Sequence, residues 1–324
     1  MSYLLRRLGF YLIAAWVSIT LNFFIPRLAP GDPASALQAR FQGQLDPSSL
    51  EAMKIAFGIS DEPLHVQFFA YVKNLLSGQL GTSMAYFPAP VSEVIGQALL
   101  WTLLLAGLSV VLSFAVGTTL GVLAAWRRGG LLDSIAPPAF IFLGAFPYFW
   151  LAMFLLFTFG FLGGWFPIMH AYSDDLTPAL SWEFVLDALH HAVLPAASIV
   201  MASLGGWLLS MRNTMIGVLS EDYITMAQAK GLSERRVVLH YAARNALLPN
   251  ITGFGMALGF VLSGSLLTEI VFSYPGQGHL LFEAVKSQDY PLMQGLFMAI
   301  TTAVLAANWL VDVAYVFLDP RTRR

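Results

Sequence analysis

Long apolar runs alternate with short polar breaks along this chain, and the alternation predicts its elements. Stretches rich in Leu, Val, Ile, Phe, Ala and Gly occupy about residues 9–28, 95–126, 135–163, 192–211, 250–272 and 291–318. A helix of roughly 20 apolar residues crosses about 30 Å of hydrocarbon, so each stretch is long enough to span a bilayer. The pattern predicts an all-α integral membrane protein with six transmembrane helices. A small external helical segment lies between helices 1 and 2. Gly107, Gly117, Gly121, Pro147, Gly205, Gly206, Gly255, Gly259 and Gly264 fall inside the spans, where they suit close helix packing and local kinks.

Two polar segments interrupt this scheme. Residues 29–94 read as two short helices. One is opened by Asp46-Pro47 and stopped at Gly58, and the other is opened by Glu62-Pro63 and closed by Gly78. Phe68, Phe69 and Tyr71 are helically spaced there and would pack this segment onto the membrane domain or sit at the lipid interface. The second segment, SEDYITMAQAKGLSERRVVLHYAARNALLP at 220–249, is too polar to span and too helical to be a plain loop. Ser220 can cap a helix whose first turn carries Glu221 and Asp222, complementing the helix dipole, and which stops at Gly231. Ser233 can cap a second helix that ends near Leu248-Pro249. Ile224, Ala227 and Gly231 share one face, so the pair should form a compact protrusion with a docking surface.

Composition agrees with a membrane class. Apolar residues make up 57% of 324 and charged residues only 11%, against about 25% charged in ordinary soluble domains. The mean hydropathy is +0.68. The net charge of −2 matters less than its distribution. With the N-terminus inside, the cytoplasmic basic residues are Arg6, Arg7, Arg127, Arg128, Arg212, Lys230, Arg235, Arg236, Arg244, Arg321, Arg323 and Arg324. The external ones are Arg27, Arg40, Lys54, Lys73 and Lys286, and no Lys or Arg lies between residues 164 and 191. Positive-inside bias therefore predicts a multi-pass protein of the cell (inner, cytoplasmic) membrane with both termini cytoplasmic. The expected partition is a retained first helix at 1–28 and an external cap at 29–94. A core at 95–318 carries the cytoplasmic loop 212–249, and a tail follows at 319–324.

Reactive chemistry is sparse. The chain has no Cys, hence no thiolate metal site or cysteine nucleophile. None of its four lysines sits in a phosphate-cradling G-x-x-x-x-G-K-[ST] loop, and neither G-x-S-x-G nor H-E-x-x-H occurs. His190 and His191 with Asp187 could enter a metal's coordination shell. Their adjacency points the two rings about 100° apart on a helix, which favours hydrogen bonding near the outer surface instead. No cofactor or metal is expected in this chain. Glu269 and Asp312 are the clearest intramembrane charges and are candidate gate or pore residues. A secondary transporter or channel would need a coupling-ion site or selectivity ring in the spans, and a membrane enzyme would need a reactive cluster.

The segment at 220–249 resembles the cytoplasmic coupling loop of ABC importer permeases of the dipeptide and oligopeptide branch. The resemblance extends through RLAPGDP (27–33), LLSGQLGTS (75–83), GVLAAWRRG (121–129), LTEIVFSYPGQG (267–278), DYPLMQG (289–295) and NWLVDVAYVFLDPRTRR (308–324). These portions are similar to the first of the two permease subunits in such importers. The resemblance implies a type I importer fold, a second homologous permease subunit completing a heterodimeric pore, and two cytoplasmic ABC ATPases that carry ATP and Mg. It also implies an external solute-binding protein that delivers cargo. Nucleic acid is not among the implied partners. Carried over position by position, the ATPase-coupling residues are Glu221, Asp222, Tyr223, Thr225, Met226, Ala227, Lys230, Gly231, Leu232, Ser233 and Arg235. Gly231 stands at the glycine of the superfamily's EAA loop. The Glu-Ala-Ala of that loop is here Thr225-Met226-Ala227; peptide-type permeases also lack the Glu, but this chain departs from them at Met226, where they commonly have Thr. The same branch includes permeases for oligosaccharides and nickel chelates, so cargo stays open among these and oligopeptides.

Overall fold

The computed structural model describes residues 2–28, 57, 62–261 and 265–318. The helix expected from Asp46-Pro47 to Gly58 lies almost wholly outside the described residues. Every regular element among the described residues is helical. In chain order these are α1 (Ser2–Leu28), α2 (Leu64–Leu76), α3 (Val91–Trp126), α4 (Leu131–Gly144), α5 (Tyr148–Leu162) and α6 (Trp182–Leu219). They continue with α7 (Asp222–Ala229), α8 (residues 234–261), α9 (Leu266–Val271), α10 (Gln277–Lys286) and α11 (Tyr290–Leu318).

Four of these are long and apolar enough to cross a membrane: Arg6–Leu28, Val91–Trp126, Trp182–Leu219 and Tyr290–Leu310. The pair α4 and α5 counts as a fifth if it is one broken span. The observed helices differ from the bounds read from the apolar runs in three places. Residues 135–163 form no single rod, because α4 and α5 bend by 96° at the intervening Ala145-Phe146-Pro147. Pro147 has ψ 134°, and a proline disfavours helical backbone in the residue before it. The helix that carries the fourth apolar run starts at Trp182, ahead of the run at 192, because Ser181 accepts from the Phe184 N–H at 3.2 Å and caps the helix there. It also ends at Leu219, beyond the expected 211.

The third correction concerns Pro249. It does not end the second helix of the polar segment. Glu234–Arg236, a π-helical stretch Val237–Ala243 and Arg244–Val261 run on as one helix, α8. A proline removes one N–H and kinks a helix, and in membrane helices neighbouring helices supply the missing support. Here α8 packs on α6 and α3. Asn250, buried just past the proline, accepts from the Ser210 hydroxyl at 2.5 Å. It also donates to Thr118 Oγ1 and the Trp207 carbonyl, each at 3.3 Å. The fifth apolar stretch is therefore divided between the end of α8 and the short α9.

The chain forms two compact units. The first comprises Met1–Thr102, Leu262–Leu266 and Pro275–Arg324. In it α11 packs along α1, and α10 and α11 pack on the first turns of α3 around Val91, Ile95, Ala98, Leu280, Ala284, Leu292, Met293 and Leu296. Phe68 of α2 lies edge-on to Phe23 at 5.2 Å and to Trp16 at 6.0 Å, and Tyr71 lies 5.7 Å from Phe23. These rings hold α2 against α1. Asp289 accepts from the Ser83 hydroxyl at 2.5 Å and the Ala85 N–H at 2.8 Å, which ties the segment before α3 to the start of α11.

The second unit comprises Leu103–Val261 and Leu267–Tyr274. Its axis is the contact of α3 with α6. Gly117 and Gly121 make that approach possible. A Cβ at Gly117 would stand 2.6 Å from Trp207 Cβ, and one at Gly121 2.6 Å from the Leu208 carbonyl oxygen. Small residues at this spacing let helix backbones meet in an apolar solvent where dispersion drives association.

Candidate coupling surface

Helix α7 is eight residues long, too short to be stable alone in water, so packing must hold it. Of the face read from spacing, Ile224 and Ala227 do the packing, while Gly231 is exposed. Ile224 and Ala227 are buried among Val122 and Ala125 of α3, Met211 and Met215 of α6, and Val237, Val238, Ala242 and Ala246 of α8. Leu232 packs partly buried against the same cluster. Burying an Ile side chain contributes about 1.5–3 kcal/mol, so this cluster is the main tether of α7.

Two polar clamps surround it. The Asn245 amide donates to the Tyr223 hydroxyl at 2.9 Å, joining α7 to α8. The Trp126 indole donates to Glu234 Oε1 at 2.6 Å, joining the end of α3 to the start of α8. A third pair, Arg212 of α6 with Asp133 of α4, fixes the same end of the unit, and the Gly129 N–H also donates to Asp133 at 2.9 Å. None of these pairs was visible in the sequence, because Asp133 and Arg212 lie 79 residues apart and Trp126 and Glu234 lie 108 apart.

The expected side-chain caps are corrected. Ser220 ends α6 and its hydroxyl donates back to the Gly217 carbonyl at 2.6 Å, so it does not cap α7. Glu221 holds the N-cap position of α7 without a side-chain bond. Ser233 stands at the start of α8 but also makes no side-chain cap, and its carbonyl accepts from the Arg236 and Val237 N–H groups at 2.9 and 3.0 Å. In both places the tertiary tether replaces the local cap. Gly231 turns the chain between α7 and α8 with φ +74°, the left-handed region open to glycine.

The opposite face is exposed. It presents Glu221, Asp222, Tyr223, Thr225, Met226, Lys230, Gly231, Ser233 and Arg235. Met226 is 60% exposed, and Tyr223, Met226 and Lys230 form one stripe at helical spacing. Acidic groups lie at the start of α7, and Lys230, Arg235 and Arg236 lie at its far end and beyond. The structure thus gathers the predicted coupling residues into one protrusion, apolar within and charged without.

The other candidates lie elsewhere. Glu269 in α9 is buried, and its carbonyl accepts from the Tyr274 N–H at 2.8 Å. Burial, then the charge of Glu269, pushes the Tyr274 phenol up from its ordinary value. Asp312 on α11 is held by Arg7 at 3.1 Å and by the Tyr11 hydroxyl at 2.6 Å, both from α1. Asp187 accepts from the Ser173 N–H and hydroxyl at 2.7 and 2.8 Å, while His191 Nδ1 contacts the Asp187 carbonyl and His190 Nε2 the Trp165 carbonyl. Among the described residues no group of three or more His, Asp or Glu is arranged to hold a metal ion.

Several helices long and apolar enough to cross a membrane, with a short helix tethered by one face and exposed on the other, define an integral membrane component. The chain belongs to the family of binding-protein-dependent transport system inner membrane components, which matches residues 117–324. It is 35% identical to a probable peptide ABC transporter permease protein of Sinorhizobium fredii over 99% of both chains. It is 34% identical to a di/tripeptide transport system permease protein of Pseudomonas aeruginosa, over 100% of this chain and 99% of that one. An oligopeptide transport system permease protein of Bacillus subtilis is 34% identical over 99% and 98%. The chain is an integral membrane permease subunit of an ABC importer, a pore component rather than an enzyme. Such a subunit operates with an ATPase and a binding protein.

Proposed function

We propose that this chain forms half of the translocation pore of an ATP-driven oligopeptide importer. The other half is a second, homologous permease. The exposed face of α7 docks on one of two cytoplasmic ABC ATPases, which hold ATP and Mg. An external solute-binding protein delivers the cargo, and both chain termini are cytoplasmic.

The observation that carries this reading is α7 itself, a solvent-facing helix fixed by Ile224 and Ala227 onto three other helices. A partner that moves α7 must move α3, α6 and α8 with it, because packed interiors transmit displacement instead of absorbing it. Nucleotide-driven closure of the ATPases is thereby coupled to the membrane helices, and cargo release to hydrolysis. Glu269 remains the candidate gate residue. Asp312, engaged by Arg7 and Tyr11, serves to join α1 to α11. Peptide cargo is supported by the names of the relatives over their full lengths, and oligosaccharide and nickel-chelate cargo by none of those described above.

The test is uptake and ATP hydrolysis by the assembled transporter in lipid nanodiscs. Peptide-loaded binding protein should stimulate hydrolysis, and the purified permease alone should hydrolyse nothing. Stimulation by an oligosaccharide-loaded or nickel-loaded binding protein alone would move the cargo. Full-rate uptake on an ion gradient without ATP would remove the chain from this mechanism.

A further inference from the structure

Helix α1 carries the first two basic residues of the chain, Arg6 and Arg7, and no acidic residue along its length. With Phe10, Tyr11, Ala14 and Leu305 they line a groove of about 450 Å³ between α1 and α11. Asp312 is the acidic residue on α11, and its Oδ2 takes both the Arg7 guanidinium at 3.1 Å and the Tyr11 hydroxyl at 2.6 Å. One carboxylate therefore stands against two guanidinium groups, which leaves the groove positive. The Arg6 guanidinium lies 5.8 Å from the centroid of the Phe10 ring, at an exposed position. From Phe10 an exposed apolar stripe runs on through Ile13 and Val17 at helical spacing.

We propose that this groove is a binding site for an anionic phospholipid. The planar fork of Arg6 matches two phosphate oxygens, and the Arg7 guanidinium lines the same end of the groove and adds to its positive charge. Phe10, Ile13 and Val17 then carry an acyl chain along α1. A free phosphate would use only the polar end, whereas the continuous polar-to-apolar path suits an amphiphile. Occupancy would brace α1 against α11 at the point where Arg7, Tyr11 and Asp312 already meet. This site is independent of the docking face of α7 and of the cargo.

The experiment uses the assembled transporter in mild detergent, with retained lipid counted by native mass spectrometry. Phosphatidylglycerol and phosphatidylcholine of identical chains are supplied in equal amounts. The wild-type protein should retain phosphatidylglycerol in preference. Arg6→Gln should lower that retention about fivefold, the effect of one basic side chain near an anionic lipid, and leave phosphatidylcholine unchanged. Arg6→Lys, which keeps the charge, should restore most of the preference. Equal retention of the two lipids by the wild type would overturn the proposal, as would an unchanged preference in Arg6→Gln. Displacement of phosphatidylglycerol by millimolar inorganic phosphate would also overturn it, showing a free-anion site.

Discussion

Gly231 separates what the chain needs internally from what a docked partner needs. Its φ is +74°, and a Cβ there would have nothing within 4 Å. Gly231→Ala and Gly231→Trp therefore share one intramolecular cost, the left-handed backbone of a non-glycine residue, about 1–2 kcal/mol. That is a 5- to 30-fold shift in the local turn equilibrium, about the size of the tether that Ile224 supplies, so α7 should stay largely in place. Gly231→Asn should cost least, since Asn tolerates this region. Gly231→Pro demands φ near −65° and loses the N–H that donates to the Gln228 carbonyl at 2.9 Å, a cost of about 3 kcal/mol or more. The assay is peptide uptake and ATPase co-purification at matched membrane abundance. Asn should stay near wild type, Ala should fall several-fold, and Pro should abolish both readouts. Trp should fall well below Ala, because its indole projects into space that only a docked protein would fill. Trp and Ala giving equal uptake and equal co-purification would refute the docking of this turn.

Other outcomes follow from the same geometry. Gly121→Leu should sharply lower membrane abundance on immunoblots, since its Cβ would lie 2.6 Å from the Leu208 carbonyl, a backbone atom that cannot move aside. Trp126→Phe removes the indole donor to Glu234. It should lower the apparent Tm of the purified complex by the loss of about 1 kcal/mol, while Glu234→Gln, which keeps an acceptor, should lose less. A Cys at Ser181 should react with an impermeant thiol reagent in intact cells and a Cys at Ser233 should not. The chain has no native Cys to confuse the labelling.

The sequence pattern was strongest where a single face decides the outcome. The spacing of Ile224 and Ala227 located the buried side of α7, because one apolar stripe on a polar helix has one way to pack, and the exposed Gly231 located its turn. The apolar runs located the membrane helices but not their ends. Residues 182–191 precede the apolar run, yet Ser181 caps and starts the helix there. Pro249 looked like a stop because local rules describe an isolated helix, whereas α8 is held across the proline by α6 and by Asn250. Pro147 obeyed the local rule, since no helix continues the backbone through Ala145-Phe146-Pro147. The pairs Arg212–Asp133, Trp126–Glu234 and Asp312–Arg7 join residues far apart in the chain, and no local pattern signals them.

The central claim is that the exposed face of α7 meets an ATPase in the cytoplasm. A single Cys at Met226, 60% exposed at the centre of that face, can carry a photoactivatable crosslinker, and a Cys at the fully exposed Leu180 provides the control. Irradiation of the intact transporter in its own membrane, followed by mass spectrometry of the adducts, reads the partner directly. The account predicts an adduct with an ABC ATPase subunit from position 226 and none from position 180. No ATPase adduct from 226, or one from 180 in its place, would contradict it.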